Sequence, residues 1–432
     1  MIKHFKQAWN LIKQEMLFSS IYIIGTGLSI TIVMVLSIVL YIKFANIYPE
    51  TNRDRLLVVK NGVVNDSINK GMSSSRLSLN LIETCFQPLS NVEAISAVCG
   101  SREEYYIQPT GTKEQLPVSV KFVDSGFWKV FSFNFSKGSS FTEADFQSGI
   151  RTVVISEYMA KQLFGTIDIV GDYLSLNFMQ YRISGVVKDV SSTTTATYAH
   201  LWVPYTVLPD YNNSFDNNNL LGSFSLYILA PSKDHVVKIQ NEVFENIKKI
   251  NSTLPDGLQL TLSGQPDKYR ESVFRIGNYD FDFNKIKWQY SLVFLILLLV
   301  PGISLSGMVD SRMERRLSEM GIRRTFGASV KTLMLQIFTE NFLFTIIGGT
   351  IGLLFSYLLV ILSADWIMSI DQPFVDLLPE SESTVLSPSM LLNIPVFLIA
   401  LGVCFLLNSL TTIVPAWRSS RKEITYSLNE KN

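Results

Sequence analysis

Four stretches of this chain are too long and too free of charge to suit a water-soluble fold. No Asp, Glu, Lys, Arg or His occurs from Met16 to Ile42, Trp288 to Val309, Asn341 to Ala364 or Ser383 to Trp417. A bilayer core of roughly 30 Å is crossed by about 20 apolar residues in a helix. Hydrocarbon offers the backbone no hydrogen-bonding partner, so a crossing segment satisfies its own N–H and C=O groups by coiling. The runs predict spans within 17–45, 276–310, 329–364 and 389–416. Composition agrees: 47% of the 432 residues are hydrophobic and 17% charged, against roughly a quarter charged in soluble chains. The first run is too long for a signal peptide and no A-x-A pattern follows it, so it reads as an uncleaved anchor.

Basic residues give the orientation, because Lys and Arg in short loops stay on the cytoplasmic side. Lys3, Lys6 and Lys13 precede the first run, and Arg418, Arg421 and Lys422 follow the fourth. Arg312, Arg315, Arg316, Arg323, Arg324 and Lys331 lie between the second and third. The loop at 365–388 holds Asp365, Asp371, Asp376, Glu380 and Glu382, with neither Lys nor Arg. Both termini, including the tail at 417–432, and the 311–328 segment are expected inside. The 46–275 insert and the acidic loop are expected outside. Within 1–16, Ile2, Phe5, Trp9, Ile12 and Met16 share one helical face, and Lys3, Lys6, Asn10 and Lys13 lie elsewhere. That pattern predicts an amphipathic helix in the inner lipid interface, anchored by Trp9. The expected fold class is an integral membrane protein with four transmembrane α-helices and a large extracytoplasmic α+β domain between spans 1 and 2.

The insert mixes strand and helix signals. TVVISEYMAKQLFG (152–165) predicts a strand, then a helix stopped by Gly165. YRISGVVKDV (181–190), SFSLYILA (223–230) and LQLTL (258–262) predict strands. DHVVKIQNEVFENIKKI (234–250) predicts a helix with Val236, Val243, Ile247 and Ile250 on one side. NNSFDNNN (212–219) predicts a mobile polar loop, and Asp267–Ile286 a helical stalk back to the membrane.

Several functions are excluded. Net charge is zero, so nucleic acid is not held by bulk charge. His4, His200 and His235 are far apart, and Cys85, Cys99 and Cys404 form no CxxC, which leaves no metal signature. A Cys85–Cys99 disulfide stays open. No G-x-x-x-x-G-K-[ST] occurs. GASVKT (327–332) only approximates it, and LSGQ (262–265) looks like an ATPase signature loop but is expected outside, with no phosphate loop to complement it. No nucleophile–base constellation is found. The chain reads as non-enzymatic and without a cofactor of its own.

The segment after the second run is RMERRLSEMGIRRTFGAS (312–329), with five arginines in thirteen residues. Met313, Leu317 and Met320 recur at helical spacing, and Arg315–Glu319 and Glu319–Arg323 are i,i+4 pairs, each worth about 0.3 kcal/mol. Gly327 suits a left-handed helix end and Ser329 the cap of the next helix. Spacing alone leaves open whether this is a topology-setting loop or a rigid helix with a job. In the third run, Gly348, Gly349 and Gly352 permit close helix approach, within the chain or between copies. Glu340 falls about two turns into that helix, where a carboxylate is costly unless it is interfacial or paired, and interfacial placement is the expectation.

These residues resemble the permease domain of MacB/FtsX-type ABC transporters (type VII exporters and mechanotransmitters). The matching positions are Glu314, Arg315, Glu319, Gly321, Ile322, Arg323, Arg324, Gly327, Ala328, Ser329, Gln336 and Glu340, then Pro415, Ala416, Arg418 and Arg421 near the end. The insert resembles a MacB-type periplasmic core domain through FWKVFSFNFSKG (127–138), VVISEYMAKQLFG, IVGDYLSL and YRISGVVKDV. Trp417 stands where the closing motif often has a small residue.

The resemblance implies a permease subunit in the bacterial inner membrane. It implies that 312–327 is a coupling helix docking on a cytoplasmic ATPase, with Glu314, Arg315, Arg316, Glu319, Gly321, Arg323, Arg324 and Gly327 as the coupling residues. ATP would sit on that ATPase, expected here as a separate subunit because only a short segment precedes the first span. Further implied partners are a second permease copy (homodimer or close heterodimer), membrane lipid, and a periplasmic adaptor with an outer-membrane channel. The implied work is export or extraction of a substrate from the periplasmic side. The alternative is FtsX-like signalling to a periplasmic partner such as a cell-wall hydrolase.

Overall fold

The first apolar run forms one unbroken helix, α1 (Met16–Phe44), of 29 residues. At 1.5 Å per residue it is about 43 Å long, enough to cross a bilayer core. Ile30, Met34, Ile38 and Ile42 are buried along one side, whereas Leu17, Ile21, Ile24, Leu28 and Ile32 are exposed on another. The computed structural model describes residues 16–100, 105–108, 115–278, 282–297, 322, 326–327, 329–363, 394–395, 397–399, 401–406 and 409. They fall into a helical unit and an α+β unit, and α1 enters the second at Tyr41.

The α+β unit runs from Tyr41 to Phe283. Its strands in chain order are β1 (Leu56–Val59), β2 (Gly62–Asp66), β3 (Gly71–Leu77), β4 (Ala94–Cys99), β5 (Tyr105–Gln108), β6 (Leu116–Val118), β7 (Val120–Val123) and β8 (Phe135–Gly138). They continue with β9 (Thr152–Ser156), β10 (Tyr173–Leu176), β11 (Met179–Val187), β12 (Leu201–Pro204), β13 (Leu221–Gly222), β14 (Phe224–Leu229), β15 (Leu258–Thr261) and β16 (Asp267–Lys268). The main order is β15-β2-β3-β14-β4-β7-β12-β9-β11-β10-β5-β6, with β1 and β16 attached through β14, β13 on β3 and β8 on β11. The helices used below are α2 (Phe127–Val130), α3 (Glu157–Phe164), α4 (His235–Asn251) and α5 (Tyr269–Ser272), and short turns of helix also occur at Leu79–Leu81 and Glu143–Gln147.

Local sequence explains these elements. All five residues of β9 are buried, as a Val- and Ile-rich strand covered on both faces must be. Ser156 then accepts the Met159 amide to cap α3, and Gly165 ends it at φ +71°, a conformation that costs glycine nothing. α4 buries Val236, Ile239, Val243 and Ile247, the face its spacing dictates, while Ile250 is half-buried. Its last residue, Asn251, exchanges side-chain hydrogen bonds of 2.7 and 2.9 Å with the Leu260 backbone. That side chain occupies a ladder position on β15 which would otherwise invite another strand.

The two halves of the sheet join where β4 pairs β7, through Val98↔Val123 and Cys99↔Phe122. The Asp124 carboxylate extends the joint, accepting the Ser96 hydroxyl and the Ala97 and Phe127 amides at 2.8, 2.6 and 2.9 Å. Cys85 and Cys99 are free, buried thiols, so no disulfide links them. Burial pushes them up to about 12 and about 11.

Residues 212–219 form a polar, mostly exposed loop, in which Asp216 accepts the amides of Asn218, Leu220 and Leu221 at 3.1, 2.8 and 2.7 Å. One expectation is corrected. The return segment is not a helical stalk from Asp267. β16 pairs with β1, α5 is a single turn, and Gly277 adopts φ +66°. Arg275 grips both Asp267 oxygens, with Nη2 2.7 Å from Oδ1. Among the described residues, continuous helix resumes at residue 283.

The helical unit contains the helix over residues 283–297, α6 (Val330–Leu362) and an apolar helix at Phe397–Leu406. Two described helices are long and apolar enough to cross a membrane: Ser19–Phe44 of α1 and Met334–Leu362 of α6. Trp288 and Tyr290 are exposed near the start of the 283–297 helix, beside Lys285 and Lys287, as in the aromatic and basic belts at lipid interfaces.

A pH test follows from His200. It is buried, and its Nδ1 accepts the Ser119 amide at 3.2 Å, which requires the neutral ring. Burial lowers it to about 4 from 6.5. As pH falls from 6.5 towards 4 the unfolded chain takes up this proton first, so folding stability drops, by up to about 1.4 kcal/mol per pH unit. Asp124 acts in the opposite sense, being raised to about 6 by burial. The test is therefore a difference: His200→Gln costs stability at pH 7, and the gap to wild type narrows by pH 4.5 in thermal unfolding of the detergent-solubilised chain. A gap that does not change with pH contradicts this.

Candidate functional site

In the helical unit, α1 meets α6 backbone to backbone. A Cβ on Gly352 would fall 2.4 Å from the Gly27 carbonyl oxygen, and one on Gly348 would fall 2.9 Å from that of Ile23. The Thr31 hydroxyl lies 2.8 Å from Gly27 O and 3.1 Å from Gly352 O, and the Tyr22 and Phe344 rings are 5.3 Å apart. Partner numbers rise together, so the helices run parallel, and the chain must turn back between them. The 283–297 helix lies in that interval. Gly349 plays a different part: its missing side chain admits Leu401 and Ile30. The glycine notch is thus used within the chain.

Glu340 is buried at 3% exposure, and Gln336 Nε2 donates to it at 3.1 Å. Ser19, Thr26, Ser29 and Thr31 on α1 and Asn341 and Thr345 on α6 are also buried. A carboxylate inside a helical unit is tolerated where polar groups surround it.

Ahead of α6 the chain makes a sharp turn. The Phe326 amide bonds Ile322 O at 3.2 Å, Gly327 adopts φ +88°, and Ser329 accepts the Thr332 amide at 3.3 Å. Ile322 and Phe326 are exposed. Glu314, Arg315, Arg316, Glu319, Gly321, Arg323 and Arg324, the amphipathic segment 1–15 and the acidic loop lie outside the described residues.

A second cluster, in the α+β unit, escaped the sequence reading. Glu50 Oε2 accepts Arg53 Nε at 2.8 Å and the Tyr269 hydroxyl at 2.6 Å, and Oε1 accepts the Thr197 hydroxyl at 3.0 Å. Arg53 Nη1 donates to the carbonyls of Ile42 and Ala45 at 2.7 and 2.9 Å. These are the end carbonyls of α1, where a cation is favoured. The guanidinium lies 4.7 Å from the Tyr269 ring centroid. Glu50 and Arg53 are each 1% exposed. Burial beside Glu50 raises the Tyr269 phenol well above its usual range, so it stays a donor. The one local signal was the spacing Glu50-x-x-Arg53 just past a span. LSGQ, in turn, is structural: Gln265 accepts the Lys60 amide and donates to Asn61 O and Leu262 O.

The fold is thus an α+β unit inserted between apolar helices, two of them long enough to cross a membrane, with a glycine-notched parallel pair behind a tight turn. Family models name it further: residues 19–244 match the MacB-like periplasmic core domain and 291–424 the FtsX-like permease C-terminal. The chain belongs to the MacB/FtsX-type ABC transporter permeases. It is 26% identical over 281 residues to the uncharacterized ABC transporter permease YknZ of Bacillus subtilis, covering 64% of this chain and 65% of that one. It is 24% identical to the macrolide export ATP-binding/permease protein MacB of Wolinella succinogenes, covering 66% and 43%. The pyoverdine export ATP-binding/permease protein PvdT of Pseudomonas syringae pv. tomato is 23% identical, with 53% and 33% covered. The chain thus spans from a third to two thirds of these relatives. Among solved structures, the extracellular domain of YknZ is similar at 18% identity and TM-score 0.35, covering 47% of this chain and 99% of that one. The periplasmic region of MacB from Actinobacillus actinomycetemcomitans is similar at 13% identity and TM-score 0.35, covering 50% and 94%.

The notch gives a direct test. Gly352→Leu forces backbone apart and is expected to destabilise the helix pair by about 1–3 kcal/mol, read as a lower unfolding temperature in detergent. Gly402→Leu, where an added Cβ meets nothing within 4 Å, is expected to change little. Equal effects would mean the contact is not held as described.

Proposed function

We propose that this chain is the permease subunit of an inner-membrane ABC machine. Its four spans carry both termini inside and the α+β unit outside, and it works as two permease copies with two cytoplasmic ATPases. In this reading the ATPase is a partner of the permease. ATP binding and hydrolysis displace the 312–327 helix, and the displacement passes along the spans to the outer domains. That movement drives export or extraction from the periplasmic side, as the names of the MacB and PvdT relatives suggest. The observation that carries this reading is the FtsX-like match over 291–424. It covers the arginine-rich block and the turn where Gly327 leads straight into the cap of α6. A rigid helix closed by a fixed turn transmits force, which a slack basic loop would not.

Purification from the native host in mild detergent tests it. A stoichiometric ATPase should co-purify and be lost when Arg323 and Arg324 become Glu. Gly327→Val imposes about 1–2 kcal/mol of backbone strain and should uncouple ATP hydrolysis from export while leaving insertion intact. An intact membrane complex without an ATPase would overturn the proposal. A co-purifying adaptor would specify export, and a cell-wall hydrolase the FtsX-like signalling role.

A further inference from the structure

We propose that Glu50 is a mechanical node. It fastens the segment leaving α1 to the segment returning from the α+β unit, so that both ends of the unit move as one body. Its meaning for transport rests on the coupling reading above. Three regions far apart in sequence converge on one carboxylate: Arg53 from the outgoing segment, Tyr269 from α5 in the return, and Thr197 from the connection before β12. Arg53 then reaches back to the end carbonyls of α1. On the return side, Phe274 lies against Phe44, ring centroids 5.5 Å apart, and Lys60 Nζ donates to Ser272 O at 2.7 Å.

Stability alone is a poor reason for this arrangement. A buried ion pair is often matched or bettered by apolar residues of similar volume, and the unit already has a large apolar core, of which Tyr269 is part. What a carboxylate adds over a leucine is direction. Its two oxygens fix three donors at set angles, and a shift of any one strains the others. Tyr269 serves twice, through its hydroxyl to Glu50 and its ring beneath Arg53. The outgoing and return segments therefore cannot slide past each other without breaking a charged hydrogen bond in a site closed to water.

Amide hydrogen exchange on the full chain in lipid nanodiscs tests the node. Tyr269→Phe removes one hydroxyl and keeps the ring. It is expected to speed exchange about tenfold in residues 41–55 and 267–275 together, with β9 and β11 unchanged. Faster exchange in 267–275 alone would show that the two ends are not fastened to each other. A uniform rise across the α+β unit, or no change, would equally overturn the proposal. Glu50→Gln should reproduce the paired loosening. Should it fail to fold with Arg53 left unpaired, Glu50→Gln with Arg53→Met removes both charges and reads the same peptides. Adding the ATPase with ATP and vanadate separates the two ideas. Wild type should change in both segments at once, and Tyr269→Phe in only one. If the wild-type complex ignores nucleotide, the coupling reading fails, while exchange in the free chain still decides the node.

Discussion

One carboxylate organises the place where the chain leaves its first long helix. Glu50 is charged, almost fully buried and surrounded by donors from residues 53, 197 and 269. Burying such a group is costly unless every lone pair is used, and removing one partner of a buried pair typically costs about 3–5 kcal/mol. The surroundings are built to meet that demand. α1 ends where its carbonyls can take the Arg53 guanidinium, α5 turns so that its tyrosine points inward, and the connection ahead of β12 brings Thr197 over the second oxygen. Strand order, helix end and return path answer to the same local requirement.

The helical unit obeys a different constraint. In lipid, apolar side chains gain nothing by leaving hydrocarbon for one another, so helices associate through close packing and shared polar groups. Gly27, Gly348 and Gly352 supply the first, and the buried Ser, Thr, Asn and Glu positions supply the second. The glycines, Thr26 and the Thr31 hydroxyl lie on the α1–α6 contact itself. The turn at Gly327 sits immediately upstream of one of its members.

Much of this was legible in the sequence because it is local. Apolar run length gave α1 and α6. An amphipathic run stopped by Gly165 gave α3, a 3.6-residue period gave α4, and a glycine ahead of a capping serine gave the turn at 327–329. What escaped depends on pairs distant in the chain. Thr197 is 147 residues from Glu50 and Tyr269 is 219, and no spacing rule reaches that far. The return segment misled for a related reason. Its composition permits a helix, and the pairing of Asp267 with Arg275 and of β16 with β1 overrides that preference. The 212–219 loop is polar and mostly exposed as read, and the one thing its composition did not show is that Asp216 holds the amides of Leu220 and Leu221.

The notch between α1 and α6 also limits how the protein can change over time. Most packing contacts can be adjusted gradually, a methyl group at a time, with neighbours yielding to match. A contact made of glycine carbonyls and glycine α-carbons has no smaller residue to move to and no side chain to give way. Every substitution at Gly348 or Gly352 is an enlargement aimed at another backbone. Helix spacing here cannot drift by small steps, so adaptation to a different substrate or partner must come from the surfaces that surround this pair, with the pair itself held constant.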